Sequence, residues 1–201
     1  RLLDAEQPIT HLLAAAAARM VNQWRLRRNQ PTPAPLLALE THGRVDTVTA
    51  DADTSDTVGL LSTVYPLRVP SADPGRIAEA LAAIPGDGID YGLLRYLRAD
   101  TSERLRVHPE PQLLLNFLGR IDYGISGEGL QLDRTLLAGV SALPEPEVAM
   151  RFELTINALV LTEGDAPVLA TQWRALPDIL TETDIAVLQS MWQDALREVA
   201  S

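Results

Sequence analysis

The chain has 201 residues, of which 46% are hydrophobic, and its 17 basic against 27 acidic side chains give a formal charge of −10. This length suits one domain or one lobe of a larger domain, and the absence of cysteine excludes a disulfide scaffold, thiol catalysis and zinc–thiolate sites. The acidic charge disfavours general nucleic-acid binding, and no apolar run approaches the roughly 18 residues of a membrane span.

The first half of the chain is predicted to contain two helices and two strands. The helices follow from apolar residues at helical spacing and from Pro74, which opens the second one. The first strand follows from a short apolar run that ends in polar groups. In chain order we predict a helix at Thr10–Arg28 capped by Thr10, a strand at Leu36–Glu40, a loop at Thr47–Thr57, a strand at Val58–Val69 and a helix at Gly75–Ile84.

The second half gives the clearest strand signal. Apolar and polar residues alternate from Arg151 to Val160, which is typical of a strand with one polar face. The remaining predictions are a strand at Leu113–Leu118, a turn at Glu163–Asp165, a strand at Val168–Ala175 and a helix from its cap Thr181 to Ala200. The fold class is therefore α/β, an α+β two-layer sandwich with a mixed sheet covered by helices. The first and last helices are expected to be core-packing elements.

The segment Leu39–Arg44 is the strongest candidate for chemistry. It places a carboxylate, an imidazole and a guanidinium within five residues after a predicted buried strand, and Gly43 permits a close backbone approach. In a partly desolvated cleft, Glu40 would act as a general acid or base with a pKa raised by burial. The alternative is an ion pair of Glu40 with Arg44 beside a packed His42, which spacing alone favours.

Two further features concern ligands. Asn116 lies inside an apolar strand, where a buried amide needs partners, so it is either a structural bridge or a ligand-facing donor. His11 and His108 stand apart and form no paired-ligand pattern, so we predict no metal site.

Four segments in order resemble motifs of the epimerization domains of nonribosomal peptide synthetases, within the condensation-domain superfamily. Residues 40–44 resemble EGHGRE, and residues 56–66 resemble RTVGWFTxxYP. Residues 85–92 are similar to PxxGxGYG, and residues 116–122 are similar to FNYLGQFD. Four matches in one order favour the functional interpretation of Glu40 over the structural one.

The resemblance implies a fold and an activity. These domains consist of two lobes that resemble chloramphenicol acetyltransferase, with the active site between them. The N-terminal lobe carries HHxxxDG, which this chain lacks, so residues 1–201 are expected to be a single C-terminal lobe excised from a longer chain. The family inverts the Cα of an aminoacyl or peptidyl thioester on the phosphopantetheine arm of a carrier protein.

The resemblance also implies site residues and partners. It makes Glu40, Arg44 and Asn116 catalytic. It makes four further side chains substrate-binding: His42, Tyr65, Tyr91 and Phe117. No cofactor is expected to bind directly, and the phosphopantetheine arm belongs to the partner carrier protein. The partners are the missing N-terminal lobe and this peptidyl carrier protein. The protein is expected to be a cytoplasmic enzyme, with no nucleic-acid or membrane partner, whose isolated lobe is inactive.

Departures from the family pattern keep other functions open. Phe117 replaces the family's tyrosine, Thr41 replaces a glycine, and Val45 replaces a glutamate. The sequence at Tyr65–Arg68 also leans toward condensation domains, which form amide bonds between carrier-bound substrates. A non-catalytic docking lobe is the third possibility. Because a lobe docks against its mate, we expect an apolar face around Glu40 and Asn116 that makes the isolated lobe self-associate.

Overall fold

The computed structural model describes residue 3 and residues 5–44, 53–54, 56–122, 150–163 and 166–200. Its five strands are β1 Leu36–Thr41, β2 Thr63–Arg68, β3 Leu113–Asp122, β4 Leu154–Glu163 and β5 Ala166–Ala175. They form one sheet in the order β2–β1–β3–β4–β5. The three inner strands are parallel to one another, and the two edge strands are antiparallel to their neighbours. The predicted mixed sheet is confirmed.

The helices are α1 Ile9–Arg27, α2 Pro74–Ala82, α3 Ile89–Gly92, α4 Ala99–Arg106 and α5 Glu182–Val199. A 3₁₀ segment, Pro85–Gly88, precedes α3, and a π-helical segment, Leu93–Leu97, follows it. The long helices α1 and α5 pack against each other and against one face of the sheet. This arrangement confirms the two-layer prediction and the core-packing role of both helices.

The core between the sheet and the helices is built from small and large side chains in combination. The five alanines Ala14–Ala18 of α1 are at most 1% exposed. Their methyl groups let the helix approach the sheet and α5 closely. On the far side of the core, Trp173 of β5 meets Trp192 of α5 edge to face, with ring centroids 6.1 Å apart.

Two predicted boundaries need correction. Thr10 does not cap α1, because Pro8 holds the N-cap position and no side chain caps the helix. The strand predicted at Val58–Val69 begins only at Thr63, because the carbonyl of Gly59 binds an arginine side chain instead of joining a strand ladder. The loop predicted at Thr47–Thr57 lies largely outside the described residues, as do Gly164 and Asp165 of the predicted turn.

The helical segment from Pro85 to Arg106 was not predicted from the sequence. Ionic contacts tie it to the start of β4. Glu110 accepts from Arg95 at 3.1 Å and from Arg151 at 3.2 Å, and Arg151 also donates to the Tyr96 hydroxyl at 2.8 Å. Because the residues in these contacts are far apart in sequence, no local sequence pattern predicts the contacts.

A capping box starts α5 and yields a stability prediction. The Thr181 hydroxyl accepts from the Asp184 N–H at 3.1 Å, and the Asp184 carboxylate accepts from the Thr181 N–H at 3.0 Å. Hydrogen bonding from the Thr181 side chain and backbone lowers the pKa of Asp184. The contribution of this carboxylate is therefore complete above its unfolded-state pKa of about 3.9, and it is lost as the pH falls through the lower folded-state value.

We expect Thr181→Ala to lower the free energy of unfolding by about 1 kcal/mol at neutral pH. It should also weaken the loss of stability in acid, because the carboxylate then loses its hydroxyl partner. Urea unfolding from about pH 6 to pH 2 measures both effects. Ser190→Ala, at an exposed site in the same helix, is the control. An unchanged acid dependence in Thr181→Ala would contradict the prediction.

Candidate functional site

Glu40 and Asn116 lie side by side on the neighbouring parallel strands β1 and β3, where the two residues are in register. The preceding residues, Leu39 and Leu115, are buried on the helix side of the sheet. Because side chains alternate between the faces of a strand, Glu40 and Asn116 both project from the opposite face. Both are half-buried. The structure thus brings together two of the three side chains that the resemblance makes catalytic.

Arg44, the third of these side chains, is engaged with backbone carbonyls. Its guanidinium donates to the carbonyl of Thr54, to that of Thr57 at 2.9 Å and to that of Gly59 at 3.3 Å. Among the ion pairs of the described residues there is none between Glu40 and Arg44. The ion pair between Glu40 and Arg44, on which the structural alternative for this segment depends, is therefore not found. Arg44 instead links the segment after β1 to the segment that leads into β2.

The turn between Glu40 and Arg44 is compact. Gly43 adopts a φ of +63°, and a Cβ atom at this position would lie 1.8 Å from the carbonyl oxygen of Leu61. His42 is exposed, and its Nδ1 accepts the Arg44 N–H at 3.0 Å. The neutral ring therefore carries its proton on Nε2. The packed histidine of the structural alternative is not found.

A second contact brings the motif at residues 85–92 to the same end of β1. Gly88 has a φ of +93°, and a Cβ atom there would lie 2.0 Å from the Tyr65 ring. Thr41 donates a long hydrogen bond of 3.5 Å to the carbonyl of Asp87. Burial, and then the negative charge of Asp87, raise the pKa of the Tyr65 phenol. All four motif segments of the sequence therefore meet around the carboxyl end of β1.

The four predicted substrate-binding residues are divided among different surfaces. Tyr65 and Phe117 lie on the helix side of the sheet and line a mainly apolar cavity of about 150 Å³, which also touches Glu40. Tyr91 borders a separate small cavity beside Ala38 and Phe152. His42 is in the exposed turn after β1. The sheet itself separates Phe117 from the adjacent Asn116 side chain, since neighbours along a strand point to opposite faces.

Sequence reasoning missed two residues that continue the line from Glu40 to Asn116. Asn157 of β4 is in register with Asn116, and Gln172 of β5 is in register with Asn157. We call Glu40, Asn116, Asn157 and Gln172 the polar row. The alternation at residues 151–160 contained Asn157 as a polar position, but only the strand register reveals its neighbours.

The contacts of Arg44 predict a local effect on the segment before β2. We expect Arg44→Lys to increase amide hydrogen exchange in residues 56–61, because an ammonium group cannot span three carbonyls as a planar guanidinium does. Exchange in α5 should stay unchanged. Hydrogen-exchange mass spectrometry measures both regions. Arg104→Lys, at an exposed position in α4, is the control, and equal exchange in the two variants would contradict the prediction.

Two further kinds of site concern metal ions and membranes. No cluster of three or more histidine, cysteine, aspartate and glutamate side chains is arranged there to hold a metal ion. None of the described helices combines the length and apolar character of a membrane span.

Comparison with solved structures identifies the fold. The epimerization domain from the third module of tyrocidine synthetase B superposes with a TM-score of 0.70 at 24% identity, over 96% of this chain and 42% of that domain. The first condensation domain of the CDA synthetase superposes with a TM-score of 0.52 at 15% identity, over 96% of this chain and 43% of the other. The chain has the fold of the condensation-domain superfamily. The fold that the motif resemblance implied is thus confirmed.

Curated relatives of this condensation-fold chain belong to nonribosomal peptide synthetases. One component of the linear gramicidin synthase of Brevibacillus parabrevis is 36% identical over 58% of the chain, and another component of the same synthase is 27% identical over 96%. Bacitracin synthase 2 of Bacillus licheniformis is 29% identical over 77% of the chain. The chain spans only 2%, 4% and 6% of these three relatives, respectively. No family model matches the chain.

Proposed function

We propose that the chain is the C-terminal lobe of an epimerization domain that inverts the Cα of a carrier-bound aminoacyl or peptidyl thioester. The observation that carries this proposal is the pairing of Glu40 with Asn116 on the sheet face opposite the helices. The four motif segments meet at that place, as a shared site requires. The likeness to a solved epimerization domain supports the same assignment.

Inversion requires a proton donor and a proton acceptor on opposite faces of one carbon. In the proposed reaction, one group removes the Cα proton, and the electron pair moves into the thioester carbonyl to give an enolate. A second group then delivers a proton to the other face, and the electron pair returns to form the new C–H bond. Glu40 is one of these two groups, and an upstream lobe with the histidine motif supplies the other.

The neighbours of Glu40 have supporting roles in this proposal. The Asn116 amide lies beside Glu40 and donates to the carbonyl oxygen on which charge develops. Arg44 acts as a positioning residue, because its donors hold the backbone of residues 54–59. Phe117 contributes only an apolar surface. His42 has its Nε2 proton available for a substrate carbonyl.

The proposed partners follow from the same reaction. The substrate arrives on the phosphopantetheine arm of a peptidyl carrier protein, and the upstream lobe closes over the sheet face that carries Glu40 and Asn116. The isolated lobe is therefore expected to be inactive. Val58 and Leu60, which are 101% and 91% exposed, and Leu118, which is 54% exposed, lie in or next to the motif segments. We expect the isolated lobe to self-associate through this surface, and a strict monomer in light scattering would contradict that expectation.

The test of the proposed function uses a longer chain that includes the upstream lobe. Its carrier is loaded with an L-aminoacyl thioester, and deuterium uptake at Cα from heavy water is followed together with product chirality. Uptake with appearance of the D-product supports epimerization. A second carrier, loaded with an aminoacyl acceptor, is added in a parallel reaction. Attack of its amine on the thioester, with an amide product, release of the first carrier's thiol and no uptake at Cα, would instead assign the chain to a condensation domain, as the sequence at Tyr65–Arg68 favours.

A further inference from the structure

Two apolar side chains in the segment before β2 bury almost none of their surface. Val58 and Leu60 are both more than nine-tenths exposed. No atom lies within 4 Å of a Cβ atom added to Gly59 between them, so the uncovered stretch is continuous. Single exposed aliphatic residues are common on protein surfaces, whereas neighbouring ones beside a candidate site indicate an interaction surface.

The backbone of this segment is held, although its side chains are not. Arg44 donates to the carbonyls of Thr57 and Gly59, on either side of the first exposed side chain. At the other end, the Leu61 carbonyl oxygen lies 1.8 Å from the Cβ that any side chain at Gly43 would add. A planar guanidinium fixes the direction of both carbonyls at once. The exposed side chains therefore stand on an ordered backbone.

This order is unusual for a segment that contributes nothing to the core. All six residues from 56 to 61 are exposed. The hydrogen bonds of Arg44 thus order a segment that gains no burial within this lobe. A backbone that is already ordered loses less entropy when a partner covers it. The missing apolar burial is what a partner would supply.

We propose that residues 57–61 form a docking segment for the upstream lobe, held in its binding conformation by Arg44. This inference rests on the proposed function, which includes that lobe. The docking segment contacts the turn at Gly43, three residues after Glu40, so it borders the site that the two lobes share. The solved epimerization domain is matched over only 42% of its length, so the larger part of such a domain remains to cover this surface.

A permanent neighbour suits this surface better than a transient one. If a carrier protein covered Val58 and Leu60, their apolar area would return to water each time the carrier left. Permanent interfaces are accordingly more apolar than transient ones. A second copy of the chain would occupy the docking segment only where the upstream lobe is missing, as in the self-association expected for the isolated lobe.

Thiol labelling measures whether the docking segment is covered. Residues 1–201 contain no cysteine, so Val58→Cys adds one probe and leaves Leu60 in place. The matched control is Val107→Cys, just after α4, where the valine is 80% exposed. N-ethylmaleimide is added to the longer chain with its upstream lobe and without a carrier, and peptide mapping by mass spectrometry assigns the label. Protection is the ratio of the labelling rate in urea-unfolded protein to that in native protein.

We expect protection of at least about tenfold for Val58→Cys and of less than about threefold for Val107→Cys. Arg44→Lys should reduce protection of Val58→Cys to the level of the control, because an ammonium group cannot fix two carbonyls in one direction. Leu60→Ser should do the same by removing the apolar contact while Arg44 stays in place. Since Leu60 is exposed in this lobe, that variant decides the case if Arg44→Lys fails to fold.

Three results would overturn the inference. The first is equal labelling of Val58→Cys and Val107→Cys in the longer chain. The second is protection of Val58→Cys that survives Arg44→Lys in a folded protein, or that survives Leu60→Ser. The third is protection that appears only when a carrier is added or the protein concentration is raised, which would assign the docking segment to the carrier or to a second copy. Labelling needs no turnover, so deuterium uptake by the same chain decides the proposed function separately.

Discussion

Replacing Glu40 by glutamine is expected to slow deuterium uptake at Cα by about 10²–10⁴-fold, the range typical of a general acid or base. Glutamine keeps the size of the side chain and its place on β1 beside Asn116, but it cannot carry a proton between substrate and solvent. Glu40 is half-buried, and it takes part in none of the ion pairs found among the described residues. The measurement is the initial rate of uptake with a loaded carrier on the longer chain.

The matched control for this prediction is Glu103→Gln. Glu103 is an exposed carboxylate on α4, outside the motif segments, and its substitution should leave the rate of uptake unchanged. The thermal unfolding midpoint of both variants should match that of the unsubstituted protein. Wild-type uptake by a folded Glu40→Gln variant would remove Glu40 from the reaction, and with it the central step of the proposed mechanism.

Gly43→Ala is expected to lower the free energy of unfolding by at least about 2 kcal/mol. The substitution combines two effects. Alanine is strained at a φ of +63°, and its Cβ would collide with the Leu61 carbonyl at 1.8 Å. Because the atom in the way belongs to the backbone, relief requires the turn after β1 to move away from the segment before β2. Arg44 then loses its carbonyl partners, and deuterium uptake should fall together with stability.

Gly59→Ala is the control that distinguishes the close approach of Gly43 to the Leu61 carbonyl from a general effect of replacing glycine by alanine. Gly59 lies in the same segment, its φ is ordinary, and no atom lies within 4 Å of the Cβ that alanine would add. Its substitution should change the free energy of unfolding by less than about 0.5 kcal/mol. Urea unfolding of the two variants provides the comparison. Equal stabilities would show that the turn tolerates a side chain and that the two segments are not held in close contact.

The sheet and the long helices could be predicted because their signals are local. The alternation from Arg151 to Val160 and the apolar run at Leu36–Glu40 each fix a strand without reference to the rest of the chain. The boundary at Thr63 was missed because the preceding backbone bonds to Arg44 rather than to another strand. Nothing in the sequence near Gly59 reports a partner 15 positions away.

The candidate site was predictable only as a set of motifs. The order of the motifs along the chain pointed to Glu40 and Asn116, and strand register then showed that the two are neighbours. The same register places Asn157 in the row, although it belongs to none of the four motifs. Phe117 shows the opposite case, because it follows Asn116 in the motif and yet faces the helix side. A motif therefore identifies candidate residues, but the alternation of side chains along a strand determines which of them lie on the same face of the sheet.

The alanines of α1 have a consequence for the precision of the site. Alanine has no χ1 rotamers, so the interface between Ala14–Ala18 and its surroundings has one way to pack. The central strands cannot be displaced by a rotamer change in that part of the helix layer. Glu40 and Asn116 thus lie on strands that pack against a rigid part of the helix layer. This matters because reactive groups must be held within about 0.5 Å of their working positions. In this chain, the smallest side chains of the core provide that rigidity.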